Sequence, residues 1–336
     1  MSSWRPLAGK QNVVSLEAIR EAADRIRPHT AQTPLTKDEA SPLWMKWENR
    51  QATGSFKLRG ALNKVLAQSA EARARGLVAA SAGNHGQGVA FAARVVGAQA
   101  RVFTYSHAVA EKVAAMRALG AEVVSVAGGY GEAEAAAIED ARASGRLWVS
   151  PYNDNWIIAG QGTLALEVVE SIGQLEHATV WVPAGGGGLA AGTGCVVRAL
   201  RPGWRVVAAQ SDASAYLHAH FHGQEMSRVV ERVSLADGLA GPVEAASLTL
   251  GLVRDVVDDF VLVDEESIAK AIAEAWWHYG ERIEGSAAVA LAAARQMGAT
   301  SSQAHIVLIS GGNISPDVHA ELCRRWAAPS AAGRAG

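Results

Sequence analysis

Lys57 stands in the run Thr53-Gly54-Ser55-Phe56-Lys57-Leu58-Arg59-Gly60-Ala61, with no acidic residue beside it. A small flexible turn precedes it, and the pattern after it predicts a helix over Arg59 to Gln68. A lysine at the head of a helix meets the positive end of the helix dipole, which disfavours the ammonium form, and burial lowers its pKa further. Such an amine is a nucleophile suited to forming a Schiff base with an aldehyde. A lone lysine is far more often a solvated surface residue, so the weight falls on the residues that accompany it.

Three other stretches carry chemistry. Gly185 to Gly188 lie between the apolar run Val180 to Val182 and a helix expected to begin near Leu189. Without Cβ atoms, consecutive glycines let several backbone N–H groups turn toward one anion at the positive end of that helix. Close packing accounts for one or two glycines and poorly for four. No Lys-Ser/Thr follows, which argues against a nucleoside-triphosphate loop. Ser81-Ala82-Gly83-Asn84-His85-Gly86 joins the predicted strand Leu77 to Ala80 to a helix, with Asn84 as the expected N-cap. Its amides suit a carboxylate. Ser310 closes the apolar strand Ile306 to Ile309 and so emerges at a strand's carboxyl end, where ligands bind in open α/β sheets.

Ser55-Phe56-Lys57-x-Arg59-Gly60-Ala61 resembles the cofactor-lysine motif of fold-type II, tryptophan synthase β-like pyridoxal-phosphate enzymes, and within them the serine/threonine dehydratase and serine racemase group. The other stretches follow in that group's chain order between Thr33 and Asn313. Ser81 to Gly86 resembles its substrate-carboxylate loop, Pro183 to Leu189 its phosphate cup, and Ser310-Gly311-Gly312-Asn313 its turn at the pyridine nitrogen. Four motifs in order make the match specific. The resemblance implies pyridoxal 5'-phosphate as cofactor, with Lys57 as its anchor and the base that removes the substrate's α-proton. It also implies cofactor contacts from Phe56, Asn84, Gly185, Gly186, Gly187, Gly188, Leu189, Gly238 and Ser310. Substrate contacts are implied for Ser55, Ser81, Ala82, Gly83, Asn84 and His85. Glu284-Gly285-Ser286 matches a Glu-containing turn of the group, and Glu284 is otherwise read as a helix-start residue.

The implied reaction is α,β-elimination from an L-β-hydroxy amino acid, giving a 2-oxo acid and ammonia. Serine, threonine, 3-hydroxyaspartate and phenylserine all remain open. A hydroxyl at Ser310 does not compel protonation of the pyridine nitrogen, so the ring is the weaker electron sink that suits elimination. Related racemases place a serine one residue before the Gly-Asn of the carboxylate loop, where this chain has Ala82, a methyl group that cannot move a proton. Racemisation and β-replacement are the alternatives within the fold. From other classes come a silent amino-acid-binding regulator and a nicotinamide oxidoreductase. Gly185-x-Gly187-x-x-Ala190 fits the dinucleotide fingerprint, yet Gln210 stands where the acidic ribose ligand belongs and Asp212 comes two residues late.

No metal site is expected. Gln210, Ser214 and Tyr216 fall where related enzymes carry acidic divalent-metal ligands, and none is a carboxylate. His218-x-His220-x-His222 splits its neighbouring histidines between helix faces. A formal net charge of -2 gives no basic field for nucleic acid or an anionic membrane. Thr179 to Val197 is uncharged, but Pro183 and its glycines argue against a span in lipid. Two cysteines, Cys195 and Cys323, and no apolar leader after Met1 point to a reducing cytoplasm. A small amino acid as substrate and a homodimer are the expected partners.

The chain of 336 residues, 49% hydrophobic and 19% charged, has room for two modest domains. Short apolar strands alternate with helices, which predicts an α/β fold of two doubly wound, mostly parallel sheets. The smaller domain is expected over 42–145, inserted into a larger one formed by 1–41 and 146–326, with a frayed tail over 327–336. Strands are expected at 43–47, 77–80, 100–104 and 122–126, and then near 178–182, 205–209, 256–263 and 305–309. Ser15 should cap a helix over Leu16 to Ile26. Trp276 and Trp277 read as core or interface.

Overall fold

The computed structural model describes residues 14–173, 175–297 and 303–326, and the tail over 327–336 lies outside the described residues. Leu16–Ile26 forms the expected helix because its first turn is capped: Ser15 Oγ accepts from the N–H of Ala18 at 3.1 Å, and Ile19, Ala22 and Ile26 are buried.

Among the described residues ten strands form two sheets. They are β1 (Leu35–Lys37), β2 (Leu43–Trp47), β3 (Leu77–Ala80), β4 (Ala100–Tyr105), β5 (Glu122–Val126), β6 (Leu147–Trp148), β7 (Ala178–Pro183), β8 (Arg205–Ser211), β9 (Asp259–Val263) and β10 (Ala304–Ile309). The larger sheet runs β1-β2-β10-β7-β8-β9, parallel except for the edge pair β1–β2, and the smaller runs β5-β4-β3-β6, all parallel.

The central strands of both sheets are buried on both faces, which is why they read as continuous apolar runs. In the larger sheet Val180, Val206, Ile306 and Leu308 enter one core, and Trp181, Val207, Val307 and Ile309 enter the other. Alternate residues of the smaller sheet divide in the same way, with Leu77, Ala79 and Val102 on one side and Val78, Ala80 and Phe103 on the other.

The structure moves two strands relative to the expected boundaries. β2, placed by sequence at the start of the 42–145 unit, pairs with β10 in the larger sheet, and β6, placed just after that unit, pairs with β3 in the smaller one. A short apolar run announces a strand but carries no mark of its partner. The strand expected over 256–263 begins at Asp259, because Val256 closes the helix Leu248–Val256. The lysine helix starts at Lys57 itself and ends at Leu66.

Two sets of contacts fix that helix. Its preceding turn is bonded to the end of β10: Phe56 N–H donates to Ser310 O at 3.0 Å, Gly312 N–H to Gly54 O at 2.9 Å, and Ser55 bridges Gly311. Behind it, the buried Arg59 guanidinium donates to both oxygens of Glu48 at 2.8 Å each and to Glu167 at 2.7 and 3.0 Å, and Glu167 also accepts from Lys46 at 2.6 Å. Each buried charge is thereby paired and hydrogen-bonded, as burial requires.

Candidate active site

The carboxyl ends of β3, β7 and β10 converge on a cavity of about 510 Å³. Its wall holds Phe56, Lys57, Ser81, Ala82, Gly83, Asn84, His85, Gly185, Gly186, Gly187, Gly188, Leu189, Gly238 and Ser310, residues that the chain spreads over more than 250 positions. Ser55 is the exception. Its backbone bridge to Gly311 turns it into the interior, where it is fully buried outside the wall and its hydroxyl has no partner.

Lys57 Nζ donates to Pro151 O at 3.0 Å, and burial pushes its pKa down to about 8, against the pull of Glu284. The amine is therefore far closer to its neutral, nucleophilic form at physiological pH than a solvated lysine.

Asn84 is not the N-cap. Its helix runs Asn84–Val96 with Gly83 as the cap residue, leaving the Asn84 side chain free for the site. Its Oδ1 accepts from Asn313 Nδ2 at 2.7 Å, which forces its own Nδ2 toward Glu284 Oε1, at 2.6 Å. Asn313 is held in turn by Thr53 O at 2.9 Å. Glu284 is buried, and that burial together with the nearby Asp237 carboxylate pushes its pKa up to about 7. His85 Nε2 lies 2.8 Å from Val149 O, which can only accept, so Nε2 carries the proton and Nδ1 is a bare acceptor with no partner. Burial, with the Lys57 charge, pushes His85 down to about 3, so it stays neutral.

The turn Gly185 to Gly188 has the shape of an anion cradle. Gly187 has φ +86°, and a Cβ on Gly186 would stand 2.2 Å from Tyr152 Cδ1. The first turn of the helix Gly188–Leu200 closes with Ala191 N–H donating to Gly187 O at 2.8 Å, so the amides before it have no carbonyl inside the helix. The glycine backbone, the lysine amine and the Ser310 hydroxyl are the donor set that a phosphorylated pyridine aldehyde requires, so the residues present fit that cofactor.

Residues beyond this set behave differently. Asp212, the late candidate for a ribose ligand, pairs with Arg232 at 3.0 Å. Buried Gln210 accepts from His218 N–H at 3.1 Å. The hydroxyls of Ser214 and Tyr216 lie 3.5 and 3.4 Å from Glu231, a carboxylate that the sequence match did not place beside them. Of the three histidines, His218 and His222, four residues apart, have rings 4.3 Å apart. Among the described residues no group of three or more His, Cys, Asp or Glu is arranged to hold a metal, and no helix is long and apolar enough to cross a membrane.

The family model described as pyridoxal-phosphate dependent enzyme matches residues 26–312. The chain belongs to that family. The L-threonine ammonia-lyase of Geobacter sulfurreducens is 39% identical over 303 residues, covering 88% of this chain and 75% of the relative. A solved threonine deaminase from T.th. superposes with a TM-score of 0.81 at 34% identity, over 90% of this chain and 99% of that one. Maize serine racemase gives 0.83 at 29% identity, over 94% and 98%. The protein is a pyridoxal-phosphate-dependent ammonia-lyase of the tryptophan synthase β-like fold.

Sequence reasoning gave no role to Asn313, Tyr152 or the Pro151 carbonyl, and left Glu284 open. Asn313 closes the Ser310-Gly311-Gly312-Asn313 motif. Glu284 stands in the Glu284-Gly285-Ser286 turn, whereas Tyr152 and the Pro151 carbonyl carry no local signal, because each acts through a neighbour far away in the chain.

Proposed function

We propose that this ammonia-lyase acts on a small neutral L-β-hydroxy amino acid, threonine or serine, releasing ammonia and the 2-oxo acid. The observation that carries the reading is the position of Lys57, an amine near neutrality set between two strand-to-helix turns whose free amides face one cavity. Bound pyridoxal phosphate supplies an aldehyde carbon that takes an amine and a ring that withdraws electrons from the substrate's Cα. Gly185, Gly186, Gly187, Gly188 and Leu189 hold the phosphate through backbone N–H groups. Phe56, Asn84, Gly238 and Ser310, which line the same cavity, would hold the cofactor's ring. Ser81, Ala82, Gly83, Asn84 and His85 bind the substrate carboxylate. Lys57 would hold the cofactor through its amine, and that amine, near neutrality, is the group placed to take the substrate's α-proton once free.

Elimination is favoured over racemisation by the carboxylate turn. Ala82 offers only a methyl group, and Ser81, one residue earlier, is tied into the turn by accepting from Gly83 N–H at 3.0 Å. We also read the protein as a cytoplasmic homodimer, and its two sheets as the cores of two domains, the smaller over 42–145 without β2 and with β6. A panel of L- and D-amino acids assayed for 2-oxo acid, with chiral chromatography of leftover substrate, tests the activity. Keto acid from L-threonine or L-serine with little D-amino acid is the expected result, and D-product forming as fast as keto acid defeats it.

A further inference from the structure

Charge around the cavity bears on which substrate side chain is accepted, a question that rests on the proposed function. Two lysines line the cavity, Lys57 and Lys112, against Glu132, Glu134, Glu231, Asp237 and Glu284. The cofactor claims Lys57, and His85 is neutral. Among the described residues Lys112 is thus the one lining cation available to a second carboxylate. It lies on the helix Ala110–Ala118, which follows β4 of the smaller sheet, and its side chain crosses directly over the carboxylate turn: a side chain built on Gly83 would begin 3.3 Å from Lys112 Cδ and 3.9 Å from its Nζ. The two carboxyl carbons of a β-carboxylated substrate are three bonds apart, no more than about 4 Å. With one on the amides of this turn, the other falls within reach of Lys112.

Lys112 is already taken. Its ammonium makes a close ion pair with Asp237, in the short turn Asp237–Leu239 on the other side of the cavity, where the lysine side chain is 15% exposed and the aspartate 49%. A dicarboxylic substrate would have to displace Asp237 and leave its charge beside the buried Glu284. We propose that Asp237 is a specificity-determining residue: by holding Lys112 it denies a counter-charge to acidic side chains, and removing its charge turns the site toward 3-hydroxyaspartate.

The test compares kcat/KM of the holoenzyme for L-threonine and L-threo-3-hydroxyaspartate in wild type, Asp237→Asn, and Asp237→Asn combined with Lys112→Met. In the single variant the ratio of acidic to neutral substrate should rise about tenfold or more, the worth of one charge-assisted contact, and the double variant should lose the gain. Equal use of both substrates by wild type, an unchanged ratio in Asp237→Asn, or a gain that survives without Lys112 overturns the proposal. Calorimetric titration with succinate needs no turnover. Tighter binding to Asp237→Asn, lost in the double variant, supports the charge argument even if neither amino acid proves to be a substrate, a result that would sink the proposed reaction instead. Unchanged succinate binding sinks the specificity argument itself. Asp237 is half-exposed, so matching melting curves are expected for Asp237→Asn.

Discussion

The turn after β3 and the turn after β7 are the same local device, a strand end, a glycine-containing bend and the bare amides of a helix start, yet their surroundings differ. Around Gly185 to Gly188 the space is already filled by fixed neighbours: a Cβ on Gly185 would stand 2.8 Å from Leu239 Cα, and one on Gly186 2.2 Å from the Tyr152 ring. Around Gly83 the nearest atoms are the far end of a lysine, and the polar work falls to side chains, with Asn84 wired to Asn313 and Glu284. A rigid backbone cradle suits an anion that stays, as a cofactor phosphate does. A turn that binds through adjustable side chains suits a carboxylate that arrives and departs with every turnover.

Removing the group between the two turns should have the largest effect. Lys57→Ala is expected to cost about a thousandfold or more in turnover, since one amine serves as anchor and base, and to erase the visible absorption of the bound cofactor while melting stays close to wild type. Activity above a trace would take the base role away from Lys57.

Next in size is a charge in the rigid cradle. Gly187→Asp should weaken pyridoxal-phosphate binding by about tenfold to a hundredfold, the scale of a lost charged contact plus repulsion. Gly187→Asn carries the same backbone strain at φ +86° without the charge, so the gap between the two isolates electrostatics. Gly83→Ala, by contrast, is expected to raise KM for the amino acid and leave cofactor binding alone. If equilibrium dialysis finds the reverse, the two turns have exchanged roles.

A smaller, pH-dependent effect tests the wiring of the adjustable turn. Folded Glu284 keeps its proton up to about 7, whereas a solvated carboxyl loses it near 4.5. Between those values the folded state binds more protons than the unfolded one, so this residue lowers stability as pH rises through that window and holds the full cost above it. Glu284→Gln keeps an oxygen acceptor for Asn84 and removes the titration. In cofactor-free protein its melting temperature should gain on wild type between pH 5 and pH 8, and parallel curves would mean that Glu284 titrates normally.

The smallest expected change is at Ala82. Ala82→Ser should raise exchange of the α-proton or racemisation several-fold against a low background while elimination continues. Deuterium incorporation into recovered substrate measures it, and no change would mean that the second face of the substrate does not lie over this position.

Local features were legible from the chain itself. Helix and strand identities, the Ser15 cap and the placement of both glycine turns at strand-to-helix junctions depend on hydrogen bonds and apolar periods within a few residues, so the residues that encode them are adjacent. The convergence of Lys57, Ser81 to His85, Gly185 to Leu189 and Ser310 was read from the order of motifs, and the cavity wall contains them. Tertiary structure decided what no short window holds. It chose the sheets joined by β2 and β6, turned Ser55 inward through its bridge to Gly311, oriented the Asn84 amide through residues 229 and 200 positions away, and set Asp237 against Lys112 across 125. A strand partner, an amide orientation or the pKa of a buried acid depends on which distant groups share its space and exclude its water. Only the closed chain brings those groups together.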